Sequence, residues 1–210
     1  MENEKYLQDL TEIKNMMNRS SRFISLSGLS GVFAGIYAIM GAIIARIIMD
    51  DHGSNFSRSI LDNSISPDLI IQLSLVAAAV LILALGTAVF LTTRKAKTNT
   101  QKVWDSTTRR LLINFFAPLI AGGLFCLVML QYNLIGFILP CMLIFYGLAL
   151  INGSKFTFGD LKGLGYANVV LGLIATQFPE YGLFFWAAGF GVFHIIYGIW
   201  MYNKYDRKSA

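Results

Sequence analysis

The chain has 210 residues, of which 55% are hydrophobic and only 14% charged, and its net charge is +5. A soluble domain carries about 25% charged residues, so this composition excludes an ordinary soluble globular domain. Ten-residue segments of alternating polarity, which would mark a membrane β-barrel, are absent.

The first twenty residues predict an amphipathic helix. Tyr6, Leu10, Ile13 and Met17 recur at helical spacing, opposed by Glu4, Lys5, Asp9, Glu12 and Lys14. Residues 1–22 are expected to lie at a membrane interface or to pack under the bundle, with pairing to a copy of itself or to a partner as the alternative. No cleavable signal peptide is read there, and the first apolar run is expected to act as an uncleaved anchor.

Six apolar runs follow, at 23–49, 69–92, 111–130, 134–151, 163–178 and 182–202. About 18 or more apolar residues cross a bilayer as a helix, and a spanning segment must satisfy its own backbone hydrogen bonds. The expected fold is therefore all-α: an integral membrane bundle of six transmembrane helices over 23–202, with a basic tail at 203–210. The fifth run is the shortest and is rich in glycine. Gly163-Leu164-Gly165 suggests an unwound entry to it.

Span one carries small residues at helical spacing, Gly31 and Gly35 above all. Missing side chains let helices approach closely in lipid, and a partner span of the same chain is expected to use them. The outer loop at 50–68 begins with Asp50, Asp51 and His52, read as a solvated loop start rather than a metal site. Pro118 and Pro140 fall inside spans three and four and are expected to bend them. Asn114, one turn before Pro118, is placed to satisfy a freed carbonyl or a neighbouring helix. Cys126 and Cys141 fall in one leaflet of that hairpin and are expected to pack as small buried residues, although a disulfide is open to them.

Fifteen of the seventeen basic residues fall on one side of the six runs. Arg94, Lys95, Lys97, Lys102, Arg109 and Arg110 fill the loop between spans two and three, where they and Trp104 are expected to meet anionic lipid headgroups. By the positive-inside rule both termini are expected in the cytoplasm, in a bacterial inner membrane. Nucleic acid is not expected as a partner.

Polar residues within the spans are the candidate chemistry. In span six, Gly191, His194 and Gly198 share a face. In span five, Asn168 and Gly172 share another. The short turn near residue 180 makes these spans antiparallel neighbours and brings Asn168 and His194 to similar depth. An intramembrane histidine is a functional hypothesis by default. His194, Asn168, Tyr197 and Asn114 are the candidate lining of a cavity, while Gly31, Gly35, Gly172, Gly191 and Gly198 are candidate packing positions. There is no GxSxG elbow, no HExxH helix and no intramembrane pair of acids. No catalytic residue, metal or cofactor is expected.

Tyr6–Met17, running into Ser27-Gly28-Leu29-Ser30-Gly31, and the stretch Gly189–Gly198 resemble a family of small uncharacterised bacterial polytopic membrane proteins. Genes of that family often lie beside a winged-helix regulator and an envelope-stress membrane protein. The resemblance implies a role in sensing or maintaining the envelope and assigns no catalytic residue. The leading expectation is a non-enzymatic envelope protein binding a hydrophobic or lipid-like molecule or a protein partner, with a homo-oligomer permitted. The alternatives are a small transporter or channel for a neutral or weakly acidic solute, with a polar path through Asn114, Asn168 and His194, and a membrane-embedded lipid-modifying enzyme.

Overall fold

A computed structural model describes residues 6, 27–52, 65–98 and 104–207. The N-terminal amphipathic segment apart from Tyr6, Lys102 and most of the loop after His52 lie outside the described residues. Among the described residues the secondary structure is helical throughout: α1 (Gly28–Asp51), α2 (Pro67–Thr98), α3 (Ser106–Gln131), α4 (Ile138–Gly153), α5 (Leu161–Ala175) and α6 (Pro179–Asp206). Short 3-10 turns at Ile135–Phe137 and Ser154–Phe156 extend α4 at both ends.

Five of these helices, counting α4 with its flanking turns, are long and apolar enough to cross a membrane, as a membrane protein requires. Of the six expected spans, α5 is the one that falls short of that length. Its 15 residues rise only about 22 Å, against the roughly 30 Å of a hydrocarbon core. Helical bonding stops there because Thr176 and Gln177 turn the chain toward Pro179, and the Thr176 hydroxyl donates to the Leu173 carbonyl.

Each helix runs antiparallel to the neighbour it touches most. Tyr37 hydrogen-bonds Thr87 (3.2 Å), and Gly41 meets Val80, which joins α1 to α2. On its other side α1 meets α6 backbone to backbone. A Cβ on Gly35 would stand 2.6 Å from the Gly191 carbonyl oxygen, and one on Gly198 would stand 2.5 Å from the Val32 nitrogen. The partner of the span-one glycines is thus α6 of the same chain. A second glycine seam joins α4 to α5, where Gly147 and Gly165 face each other's carbonyls and Gly172 faces the Pro140 carbonyl. Gly165 sits within regular helix, so the unwound entry expected at Gly163–Gly165 does not form. The α4–α5 pair docks on α6, α3 packs on the opposite side of α4, and α2 and α3 lie at the margins with few buried residues.

The α3–α4 hairpin turns at Asn133, whose φ of 56° is left-handed. The Leu134 and Asn133 N–H groups donate to the Met129 and Leu130 carbonyls, closing a Schellman motif that asparagine tolerates. Pro118 lies inside α3, and the carbonyl left without a donor, that of Asn114, accepts from Asn152 Nδ2 of α4 at 3.1 Å. Pro140 instead falls in the first turn of α4, where no helical N–H is required, so it does not interrupt that helix. Cys126 and Cys141 are free thiols in contact with the Ile138 carbonyl and the Met129 sulfur.

Candidate functional site

The middle of α6 is not a plain α-helix. Residues Ala187–Val192 form a π turn between the α-helical segments Gly182–Trp186 and Phe193–Met201. Such turns absorb one extra residue and often accompany function. Here the turn lets Gly189 face α4 and α5 while Gly191 faces Ile39 and Gly35 of α1.

A polar centre surrounds Gly189. His194, 6% exposed, places Nδ1 2.8 Å from the Gly189 carbonyl oxygen and Nε2 2.7 Å from the Tyr146 hydroxyl. A carbonyl only accepts, so Nδ1 carries the proton, and Nε2 accepts from Tyr146. Both ring nitrogens are taken by protein groups, which is how a buried imidazole avoids an unmet hydrogen bond. Asn168 is fully buried. Its Nδ2 donates to the Leu164 carbonyl, while Oδ1 has no hydrogen-bond partner among the described residues and faces the bare side of Gly189. A Cβ on Gly189 would stand 2.7 Å from that oxygen. Asn168 and His194 therefore meet at one glycine, without a hydrogen bond between them. Aromatic rings continue the centre: Trp186 to Phe190 (5.1 Å between centroids), Phe190 to Tyr146 (4.9 Å) and Tyr146 to Phe115 (6.2 Å).

The other candidates fall elsewhere. Tyr197 is half-buried against Leu150, Leu161 and Leu164, with its hydroxyl unpartnered among the described residues. Asn114 donates its amide to the Arg110 carbonyl at 2.8 Å, and no hydrogen bond among the described residues joins it to Asn168 or His194. Gly172 belongs to the α4–α5 seam, and Gly31, Gly35, Gly191 and Gly198 belong to the α1–α6 seam. At the opposite end, Asp50 pairs with Arg46 at 2.9 Å, and His52 Nδ1 bonds the Ile48 carbonyl.

The basic end holds a charged network that sequence reading missed. A second π turn, Tyr202–Asp206, fans its side chains in two directions. Asp206 accepts from Lys95 Nζ (2.5 Å) of α2, and from the Gly28 N–H (3.0 Å) and the Ser27 hydroxyl (3.4 Å) at the start of α1. It thereby replaces the side-chain cap that Ser27 does not supply, with an anion at a helix N-terminus. Lys204 Nζ (2.7 Å) and the Tyr205 hydroxyl (2.5 Å) donate to Asp160, while the Tyr205 ring packs at a tilt against Phe158, 4.2 Å between centroids. Burial alone would raise the Asp160 carboxyl, but the hydrogen bonds from Lys204 and Tyr205 and the lysine charge hold it below its ordinary value.

At the start of α3, Trp104, Asp105, Ser106, Arg109, Arg110 and Ile113 line an open cavity of about 560 Å³. Asp105 caps that helix, and its Oδ1 accepts from the Thr108 N–H (2.7 Å) and hydroxyl (2.8 Å), so this oxygen is committed to the fold. Arg109 and Arg110 are exposed beside the Trp104 indole and the Ile113 side chain. Arg94 and Lys97 are also exposed, whereas Lys95 is drawn inward to Asp206.

No family model, curated protein or solved structure matches this chain.

Proposed function

We propose that this chain is a non-enzymatic, multi-pass protein of a bacterial cytoplasmic membrane that holds an anionic, lipid-like molecule at its basic end. The cavity at the start of α3 carries this reading. Trp104, Arg109, Arg110 and Ile113 line it, so two exposed arginines border a mostly apolar open cavity of about 560 Å³. Guanidinium groups bind phosphate oxygens in a bidentate fork, an indole suits the headgroup layer, and Ile113 leads from the charged rim toward the apolar face of α3. The whole of α6 supports the orientation. Lys204 and, through Asp206, Lys95 stand at its basic end, Lys155 and Lys162 lie at the same end of α4 and α5, and by the positive-inside rule that side is cytoplasmic. The polar centre at Gly189 acts in this reading as an internal pin that fixes α6 against α4, because His194 has no nitrogen left for a ligand.

The test is native mass spectrometry of the purified chain titrated with phosphatidylglycerol and, separately, phosphatidylcholine. The reading expects phosphatidylglycerol to be retained preferentially. The double variant Arg109→Gln, Arg110→Gln should lose about tenfold or more of that affinity, at about 1 kcal/mol per basic contact. Equal retention of both lipids by both proteins would remove the site.

A further inference from the structure

The α3–α4 hairpin sets the two cysteines of the chain on one seam. At Gly122 the helices touch, and a Cβ there would overlap the Phe145 Cβ. Cys126 is four residues further along α3, and Cys141 is four residues back along α4. In an antiparallel pair these two shifts run the same way. The cysteines therefore oppose each other one turn, about 6 Å, nearer the hairpin turn at Asn133. Both side chains cross the seam. Cys126 Sγ lies 3.9 Å from the Ile138 carbonyl oxygen of α4, and Cys141 Sγ lies 3.7 Å from the Met129 sulfur of α3. A disulfide needs its Cβ atoms about 3.5–4.5 Å apart. The helices are closer than that at Gly122, so a parting of about 1–2 Å over the intervening turn reaches this range.

We propose that Cys126 and Cys141 are a redox pair, which closes a reversible disulfide between α3 and α4 next to their turn. The pairing follows from the hairpin alone and does not rest on the lipid site at the basic end. Access orders the steps. Cys126 is half-buried between the exposed Phe125 and Leu127, whereas Cys141 is only 8% exposed. A small molecule that itself carries a disulfide, the class of oxidant required, meets Cys126 first. Cys126 Sγ attacks one sulfur of the oxidant, whose S–S bond breaks, and the released thiol takes the Cys126 proton. Cys141 Sγ then attacks Cys126 Sγ in the mixed disulfide and displaces the second thiol, which takes the Cys141 proton. Two electrons pass to the oxidant, so one disulfide is consumed and one is made. The cross-link acts on a helix with few buried residues, held to α4 by the Gly122 contact and by the Asn152 bond to the Asn114 carbonyl. It adds a covalent hold near the end of α3 away from Arg109 and Arg110.

Thiol titration with mass measurement tests the pairing. The reduced full-length chain in mild detergent receives one equivalent of 4,4′-dithiodipyridine, a lipid-soluble disulfide that releases coloured 4-thiopyridone. The expected result is about two thiopyridones for each oxidant consumed. The product should be a monomer about 2 Da lighter than the reduced chain, with no thiol left for maleimide after denaturation. It should melt at a higher temperature than the reduced chain, and dithiothreitol should reverse both changes. Cys141→Ser, with Cys141→Ala as its alternative, should stop at a stable pyridyl adduct on Cys126, with about one thiopyridone released. In the parent chain, a stable pyridyl adduct with one thiopyridone per oxidant would overturn the proposal. A disulfide between two chains would overturn it too, as would thiols that react only after denaturation.

Discussion

Helix α6 uses the same backbone device twice, with opposite chemistry. At Ala187–Val192 the π turn lies among apolar side chains, and its polar groups are neutral: a carbonyl, an imidazole, a phenol and an amide. At Tyr202–Asp206 it lies at the basic end and holds charges in pairs. The contrast follows from solvation. An ion in hydrocarbon costs far more than a neutral hydrogen-bonding group, so the inner turn fixes α6 with neutral bonds and glycine contacts. The outer turn, near water, ties three helix ends together with carboxylates.

The strongest way to break the inner region is steric. Gly35→Val should abolish a monodisperse folded protein or cost about 3 kcal/mol, because its Cβ meets the Gly191 carbonyl. Gly86→Val, which meets nothing within 4 Å, should leave the melting temperature nearly unchanged. Equal melts of the two variants in detergent would refute the seam. Removing the pin comes next. His194→Ala should destabilise by about 2–3 kcal/mol, since it strands the Tyr146 hydroxyl in the core. Tyr146→Phe should cost about 1 kcal/mol, and the double variant should show that the two effects are not additive.

The outer region should respond more weakly and to different agents. Asp206→Ala removes a helix cap and a partly buried ion pair, and about 1–2 kcal/mol is expected. Lys95→Met leaves the cap in place, so hydrogen exchange should rise at the end of α2 and not at the start of α1. The smallest effect is that of pH. The Asp160 carboxyl is held low when folded, so its contribution is complete above the ordinary carboxylate range near pH 4 and is lost as pH falls through the depressed value. Stability measured from pH 6 downward should therefore fall less steeply in Asp160→Asn than in the parent chain.

The helices themselves were legible because hydrocarbon demands long apolar runs and permits little else. The α1 glycines were legible as a packing face, and so was the shared depth of Asn168 and His194. What escaped has physical reasons. The π turns insert one residue, which breaks the periodicity on which a face assignment rests. Tyr146 is the single phenol in its span, a signal that was available once His194 had been singled out. Asn152, Asp160 and Asp206 lie at helix ends, where polar residues are ordinary, and only tertiary contact distinguishes them. Pro140 fell in a first turn because the 3-10 turn before it displaces the helix start. The fifth run was too long by three residues, since Phe178 extends hydropathy past the point where helical bonding stops.

The central claim is that the two ends of the bundle face different compartments, with the basic end inside. Thiol labelling of intact cells with a membrane-impermeant maleimide tests it, in chains whose native cysteines are replaced by alanine. Tyr132→Cys, exposed at the α3–α4 turn, should label at once, and Lys155→Cys, exposed at the opposite end of α4, should label only after the cells are opened. Immediate labelling of Lys155→Cys with protection of Tyr132→Cys would invert the orientation, and immediate labelling of both would contradict the membrane account.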